Sequence, residues 1–349
     1  MTIKRTIELC IYRYHKIGNM AGSYLSWLKW YLQIGIVRIM NPSKKVIGVL
    51  LSEHFGDIVA SEPLSRELKR LHPNSLIYWI VKKPYRELVD TNPNIHQSIV
   101  EYSVLFSILF NKKNTFHSFY NLHLSDLRRY DYTRTHLRNS KAIELGITVA
   151  NYFDFGNLLE VFGLVAGLPK LSEGPRMYIP QKTVDKISEI VLPRPYVVLH
   201  CSSNQPTKDW QVYHWERLVE CLINELDLDV VEVGLKSQMT ISNPRYHNLC
   251  GKYSLIETAE IIRNAYFYIG IDSGPAHLAN AVGTYGILLF GKLNTFEKYM
   301  PYSGAYQNGS NAQLIIKEKE TCSELEFDTV WEVIKIKYSS LQAKNKNFV

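Results

Sequence analysis

The chain has 349 residues, 46% of them hydrophobic and 21% charged, and a formal net charge of +7. That apolar fraction excludes an intrinsically disordered chain, and the length suits two domains of ordinary size better than one core. The basic balance favours phosphate-rich small molecules or an anionic membrane surface, without the extreme charge of a nucleic-acid binder.

Five scattered cysteines, Cys10, Cys201, Cys221, Cys250 and Cys322, contain no C-x-x-C pair. They suit neither a disulfide framework nor a zinc site and imply a reducing, cytoplasmic compartment. The first residues alternate charged and apolar side chains, unlike a secretory signal. Segment 23–40 is apolar and aromatic, interrupted by Lys29 and Arg38 and followed by Lys44 and Lys45. It falls short of a membrane-spanning helix. Two readings remain: a helix lying in a membrane interface, so that 23–45 meets an anionic surface, or a helix packed on the domain or on a second subunit.

From residue 46 the pattern alternates strand, turn and helix. The apolar run 46–51 predicts a buried parallel strand, and one helix is expected through Leu64, Leu68 and Leu71, ending before Pro73. Strands follow at 76–81, 97–100 and 116–122, then a mostly helical stretch over 141–168, stopped by Gly167-Leu168-Pro169. Segment 171–194, with Pro175, Pro180 and Pro193, reads as an interdomain connection. A second series then begins. Strands are expected at 196–200, 229–233, 267–271, 286–290 and 314–316, helices at 215–226, 255–264 and 327–338, and a polar tail at the end. The fold class is α/β with two Rossmann-like domains of parallel sheet. Their expected bounds are 45–170 and 195–320, preceded by a basic extension over 1–44 and followed by a closing segment over 321–349.

Open parallel sheets bind ligands beyond the carboxyl ends of their strands. Three loops there carry chemistry. After the first strand, Ser52-Glu53-His54-Phe55-Gly56-Asp57 places Asp57 at a helix start, either as a charge favoured by the helix dipole or as a general base. After the strand at 196–200, Ser202, Ser203 and Lys208 offer hydroxyls and one point charge to a diphosphate. No Walker pattern is present. The third loop, Asp272-Ser273-Gly274-Pro275-Ala276-His277, runs from a strand straight into a helix. Gly274 permits close backbone approach, Pro275 suits a first helical turn, and His277 sits one turn in. A helix cap made by Asp272 or Ser273 is the plainer reading of the same residues. Neither opening strand is followed by G-x-G-x-x-G, which excludes a Rossmann dehydrogenase.

With these loops in order, segment 45–302 resembles the ADP-heptose:lipopolysaccharide heptosyltransferases, glycosyltransferase family 9, of GT-B architecture. The likeness rests on Gly56-Asp57, Pro63-Leu64, Leu71-His72-Pro73-Asn74, Tyr78-Trp79-Ile80-Val81, Gly251-Lys252-Tyr253-Ser254-Leu255, Asp272-Ser273-Gly274-Pro275-Ala276-His277-Leu278 and Phe290-Gly291. It implies an acceptor-side first domain, a nucleotide-sugar-binding second domain and an active-site cleft between them. By that resemblance Asp57 is the catalytic base. Ser202, Ser203 and Lys208 hold the donor diphosphate, and Asp272, Ser273, Gly274 and His277 form the second donor loop. The family's acidic ribose ligand falls on Gln238, and two further departures are Lys292 for proline and Asn121 for aspartate.

The implied reaction is metal-independent, inverting transfer from a nucleotide-diphosphate sugar, ADP-linked heptose in the family, to a saccharide or lipid-linked saccharide hydroxyl. No cofactor is expected beyond that donor. The implied location is cytoplasmic, peripheral on the inner face of the membrane. Rival readings are a GT-B transferase or epimerase using another nucleotide sugar, and a non-catalytic membrane-associated member of the fold.

Overall fold

Every residue of Val46–Leu50, Tyr196–His200 and Tyr268–Ile271 is buried, as strands covered on both faces by helices must be. The computed structural model describes residues 3–124, 128–190, 192, 195–294 and 296–346. The chain divides into two compact units, Met1–Leu171 and Ser172–Val349.

In the first unit, β1 (Val46–Leu50), β2 (Leu76–Val81), β3 (Gln97–Val100) and β4 (Ser118–Asn121) lie parallel in the order β3-β2-β1-β4. A short antiparallel pair, β5 (Arg128–Tyr130) and β6 (Thr135–Leu137), follows. The second unit holds β7 (Tyr196–His200), β8 (Asp229–Glu232), β9 (Tyr246–Asn248), β10 (Tyr268–Ile271), β11 (Gly286–Gly291) and β12 (Ala312–Lys317), all parallel. Their order is β12-β11-β10-β7-β8-β9, so the winding reverses between β7 and β10. Such a switch point is where open α/β sheets take ligands.

The first unit's helices are α1 (Ile3–Met40), α2 (Phe55–Ala60), α3 (Glu62–Leu71), α4 (Arg86–Asp90), α5 (Val104–Lys112), α6 (Ser140–Glu144) and α7 (Leu158–Ala166). The second unit adds α8 (Gln181–Ser188), α9 (Val212–Asn224), α10 (Leu255–Arg263), α11 (Gly274–Val282) and α12 (Phe327–Lys346). Local chemistry sets several boundaries. Asn157 with Glu160, and Ser254 with Glu257, form capping boxes at the starts of α7 and α10. Gly167 closes α7 in the left-handed region.

The elements depart from the sequence expectation in four places. The helix expected through Leu64, Leu68 and Leu71 is α3, opened by Pro63 in its first turn, but residues 55–57, expected in the preceding turn, already belong to a separate short helix, α2, with Ser61 between the two. The stretch 141–168 holds only α6, α7 and one short turn, since Gly146 and Gly156 adopt positive φ. Segment 172–190 packs into the second unit: Lys186 pairs with Glu257 of α10, and the Met177 amide donates to the Ala281 carbonyl. Of the expected connection, Pro193 lies outside the described residues, as does the end of the polar tail at 347–349. Finally, α1 spans 38 residues, well beyond the apolar segment noticed in the sequence.

One face of α1 joins the first unit's core. Ile34 is fully buried, and Trp27, Trp30 and Val37 pack on a cluster that includes Phe106 and Phe110 of α5. The contact is close at Gly22, where a Cβ would run into the Tyr102 ring.

Candidate active site

In the first unit, chemistry gathers where β1 to β4 end. Ser52 and Glu53 follow β1, Lys82 follows β2, Glu101 follows β3 and His123 follows β4. Arg128 reaches back among them from β5. Its guanidinium meets Glu101 with two bonds, 2.6 and 3.0 Å, approaches Glu53 at 2.8 Å and donates to the Ser52 hydroxyl at 2.7 Å. Lys82 lies 3.6 Å from the other Glu53 oxygen. The two carboxylates thus balance the two cations. His123 is buried among them, and burial, then Arg128 and Lys82, holds its imidazole well below its ordinary pKa. It is therefore neutral at pH 7.

Asp57 sits half-buried in the first turn of α2, where the dipole favours its charge. Burial, and then the charges of Glu53 and Asp57, raise the pKa of the Tyr85 phenol. Asp57 therefore projects its charge to the same end of the sheet as the Arg128 cluster.

In the second unit, the loops after β7 and β10 leave adjacent strands at the switch point. This adjacency brings Lys208 Nζ to 2.5 Å from Asp272 Oδ2, although 64 residues separate them. Asp272 is buried and also accepts from two phenols, Tyr302 at 3.0 Å and Tyr299. Lys208 further lies 5.5 Å from the centre of the Tyr299 ring. Lys208, read from sequence as a charge waiting for phosphate, is already paired with the carboxylate of the next loop.

The remaining donor-loop residues take varied positions. Ser203 is held by its loop: its amide donates to Asp209 at 2.8 Å and its hydroxyl to the Gln205 carbonyl at 2.9 Å. Ser202 is half-buried beside it, while Gln238 is exposed on the loop after β8. Ser273 precedes α11 with an extended backbone, but its hydroxyl donates to the Ile271 carbonyl at 3.2 Å instead of capping the helix. Asp272 makes no side-chain cap either, being engaged by Lys208 and the tyrosines. The first turn of α11 offers fewer free amides than its sequence implies. Pro275 has none, and the Ala276 and His277 amides turn back on the Ser273 carbonyl.

His277 is buried with its ring 4.7 Å from that of Tyr302, and its Nδ1 has no hydrogen-bond partner among the described residues. Burial pushes its pKa down to about 4; the charge of Asp272 raises it and that of Lys208 lowers it. Because the folded value lies below the ordinary one, the unfolded chain takes up this proton first as pH falls. Stability from neutral His277 is complete above about pH 6.5 and declines toward pH 4, by about 2 kcal/mol on reaching pH 5. Urea unfolding of wild type and His277→Gln at pH 7.5 and 5 measures this. The variant should lose less stability on acidification, and equal losses would refute the assignment.

Sequence reasoning missed Tyr299, Tyr302 and Asp209 in the second unit, and Glu53, Glu101, His123 and Arg128 in the first. Asp209 follows Lys208 directly and had a local signal; the others meet only through the fold. Among the described residues no group of three or more His, Cys, Asp or Glu side chains is placed to hold a metal ion.

Residues 157–327 match the model of glycosyltransferase family 9 (heptosyltransferase). No curated protein sequence matches the chain. Among solved structures, the E. coli ADP-heptose lps heptosyltransferase II superposes with a TM-score of 0.63 at 18% identity, over 86% of this chain and 99% of the other. The glycosyl transferase family 9 protein of Veillonella parvula DSM 2008 gives a TM-score of 0.61 at 16% identity, over 85% and 97%. E. coli heptosyltransferase WaaC with ADP gives 0.56 at 15% identity, over 83% and 99%. These identities establish a shared fold, two parallel α/β units of the GT-B kind, across most of the chain. The family match covers α7, the loops holding Ser202, Ser203 and Lys208, and the Asp272 motif. Over residues 157–327, just under half of the chain, the sequence is thus similar to glycosyltransferase family 9 (heptosyltransferase).

Proposed function

We propose that the chain transfers a sugar, with inversion, from a nucleotide-diphosphate donor to a saccharide or lipid-linked saccharide hydroxyl. ADP-heptose is the leading donor, on the likeness to heptosyltransferases. The observation that carries the reading is the convergence of Lys208 and Asp272 from two adjoining loops at the sheet's switch point, with Tyr299 reaching them from the segment after β11. A donor diphosphate seated there meets Lys208 as a cation already aimed by Asp272, with the Ser202 hydroxyl alongside and the Ser203 hydroxyl able to join once it turns from the Gln205 carbonyl. As the glycosidic bond breaks, charge grows on the leaving diphosphate, and a pre-oriented cation stabilises that charge more than the ground state. Neutral His277 brings no second positive charge and acts through hydrogen bonding. Asp57 takes the proton from the attacking hydroxyl.

Lys208 and the hydroxyls assume the charge-neutralising task that magnesium serves in other transferases, so donor binding is expected without added metal. Calorimetry with ADP, UDP and GDP, each with and without magnesium, tests this. Metal-free binding of ADP alone supports the reading. Preference for UDP or GDP keeps transfer but replaces the donor, and binding of none points to a non-catalytic member.

A further inference from the structure

The remaining face of α1 is unaccounted for by the fold. At about 100° per residue, Trp27, Trp30, Ile34 and Val37 share the side packed on the first unit. On the opposite side Ile7, Ile11, Leu25, Leu32, Ile36 and Ile39 are all more than half exposed. These six lie within a stripe narrower than about 140° that runs nearly the whole helix, some 57 Å at 1.5 Å per residue. So long an exposed apolar stripe, interrupted by Lys29, is unusual on a soluble monomer and marks an interaction site.

Charge identifies the occupant. Residues 1–45 contain eight of the 40 Lys and Arg side chains but only one of the 33 Asp and Glu, Glu8. Residues 46–349 are left with 32 of each sign, so the whole formal charge of +7 belongs to α1 and its exit turn. Lys4, Arg5, Arg13, Lys29 and Lys44 are exposed. Tyr24 and Tyr31, nearly half exposed, flank the stripe. An apolar stripe with interfacial aromatics and basic residues suits the headgroup–acyl boundary of an anionic bilayer. Pairing with a second copy would set two such cationic helices side by side. No described helix is long and apolar enough to cross a membrane.

We infer that α1 docks the protein in the plane of an anionic lipid bilayer, through the stripe containing Ile7, Ile11, Leu25, Leu32, Ile36 and Ile39. The packed face holds the first unit on the helix while the opposite face enters lipid. The stripe belongs to the first unit and the donor loops to the second, so this inference stands or falls apart from the transfer reaction.

The test is sedimentation of the full chain with phosphatidylcholine vesicles, with and without about one-third phosphatidylglycerol. Partition should be at least about tenfold higher on the anionic vesicles and should fall as salt rises from about 0.1 M to about 0.5 M. Leu25→Gln, Leu32→Gln and Ile36→Gln together should cut that partition at least about tenfold and leave ADP binding unchanged. An independent readout needs no substitution. Cys10, the exposed cysteine, lies on the stripe, and an environment-sensitive dye on its thiol should shift to the blue with anionic vesicles. Equal binding to both vesicle types, or undiminished binding by the triple variant, would overturn the inference. So would a dimer broken by the same substitutions in a chain that ignores vesicles, which would assign the stripe to a second copy.

Discussion

Asp57→Asn is expected to lower kcat about 10²- to 10⁴-fold, the range for loss of a positioned general base. Asparagine keeps the size of the side chain and the start of α2 but cannot accept a proton from the acceptor hydroxyl. ADP binding, assigned to loops of the second unit, should change less than about twofold by calorimetry, since the loss would be of chemistry and not of donor contacts. Asp57→Glu should retain more activity than Asn, because the base survives at a displaced position. The competing account makes Asp57 a helix N-terminal charge. On that account Asp57→Asn would keep wild-type kcat and cost about 0.3–1 kcal/mol of stability. Initial rates with saturating donor, alongside urea unfolding, separate the two.

Lys208→Ala is expected to reduce kcat/KM about 10²- to 10³-fold, as when one preorganised donor is removed from developing charge. It should also weaken ADP binding about tenfold or more, since a charge-assisted hydrogen bond contributes about 1.5–3 kcal/mol. Asp272 keeps its phenol donors in that variant, so loss of fold is not the expected cause. Asp272→Asn gives the contrasting case: it releases Lys208 from a carboxylate at 2.5 Å. ADP affinity should then hold or rise while kcat falls, because the cation is available but no longer aimed. Equal loss of ADP affinity in both variants would show that the pair supports the loops without sensing the nucleotide.

The strands were readable because burial on both faces demands unbroken apolar runs, and 46–51, 76–81 and 286–290 have them. The loops at β7 and β10 were readable for a related reason: their residue types are unusual directly after such runs. What the residues do to one another was not. No spacing rule joins Lys208 to Asp272, or Arg128 to Glu53 and Glu101; each pairing depends on which strands lie side by side. Tyr299 and Tyr302 carried no pattern because a tyrosine beyond a strand serves equally well as packing. The extent of α1 escaped notice because its first half meets the fold only through scattered contacts, such as Tyr12 with Tyr132 and Asn19 with Tyr130, and lacks the one-sided core pattern that identifies an ordinary surface helix. The predicted helix over 141–168 failed at Gly146 and Gly156, whose positive φ outweighs the helix-forming residues around them.

The position of β8 next to β7, with β10 on the other side, has an evolutionary consequence. The residues proposed to hold the donor diphosphate follow β7 and β10, whereas the loop carrying Gln238 follows β8. Under the proposed function, recognition of the nucleoside and grip on its phosphates would fall to separate loops. Substitutions after β8 can change the accepted nucleoside without disturbing Lys208 or Asp272, so a lineage can acquire a new donor while its leaving-group chemistry stays as it was.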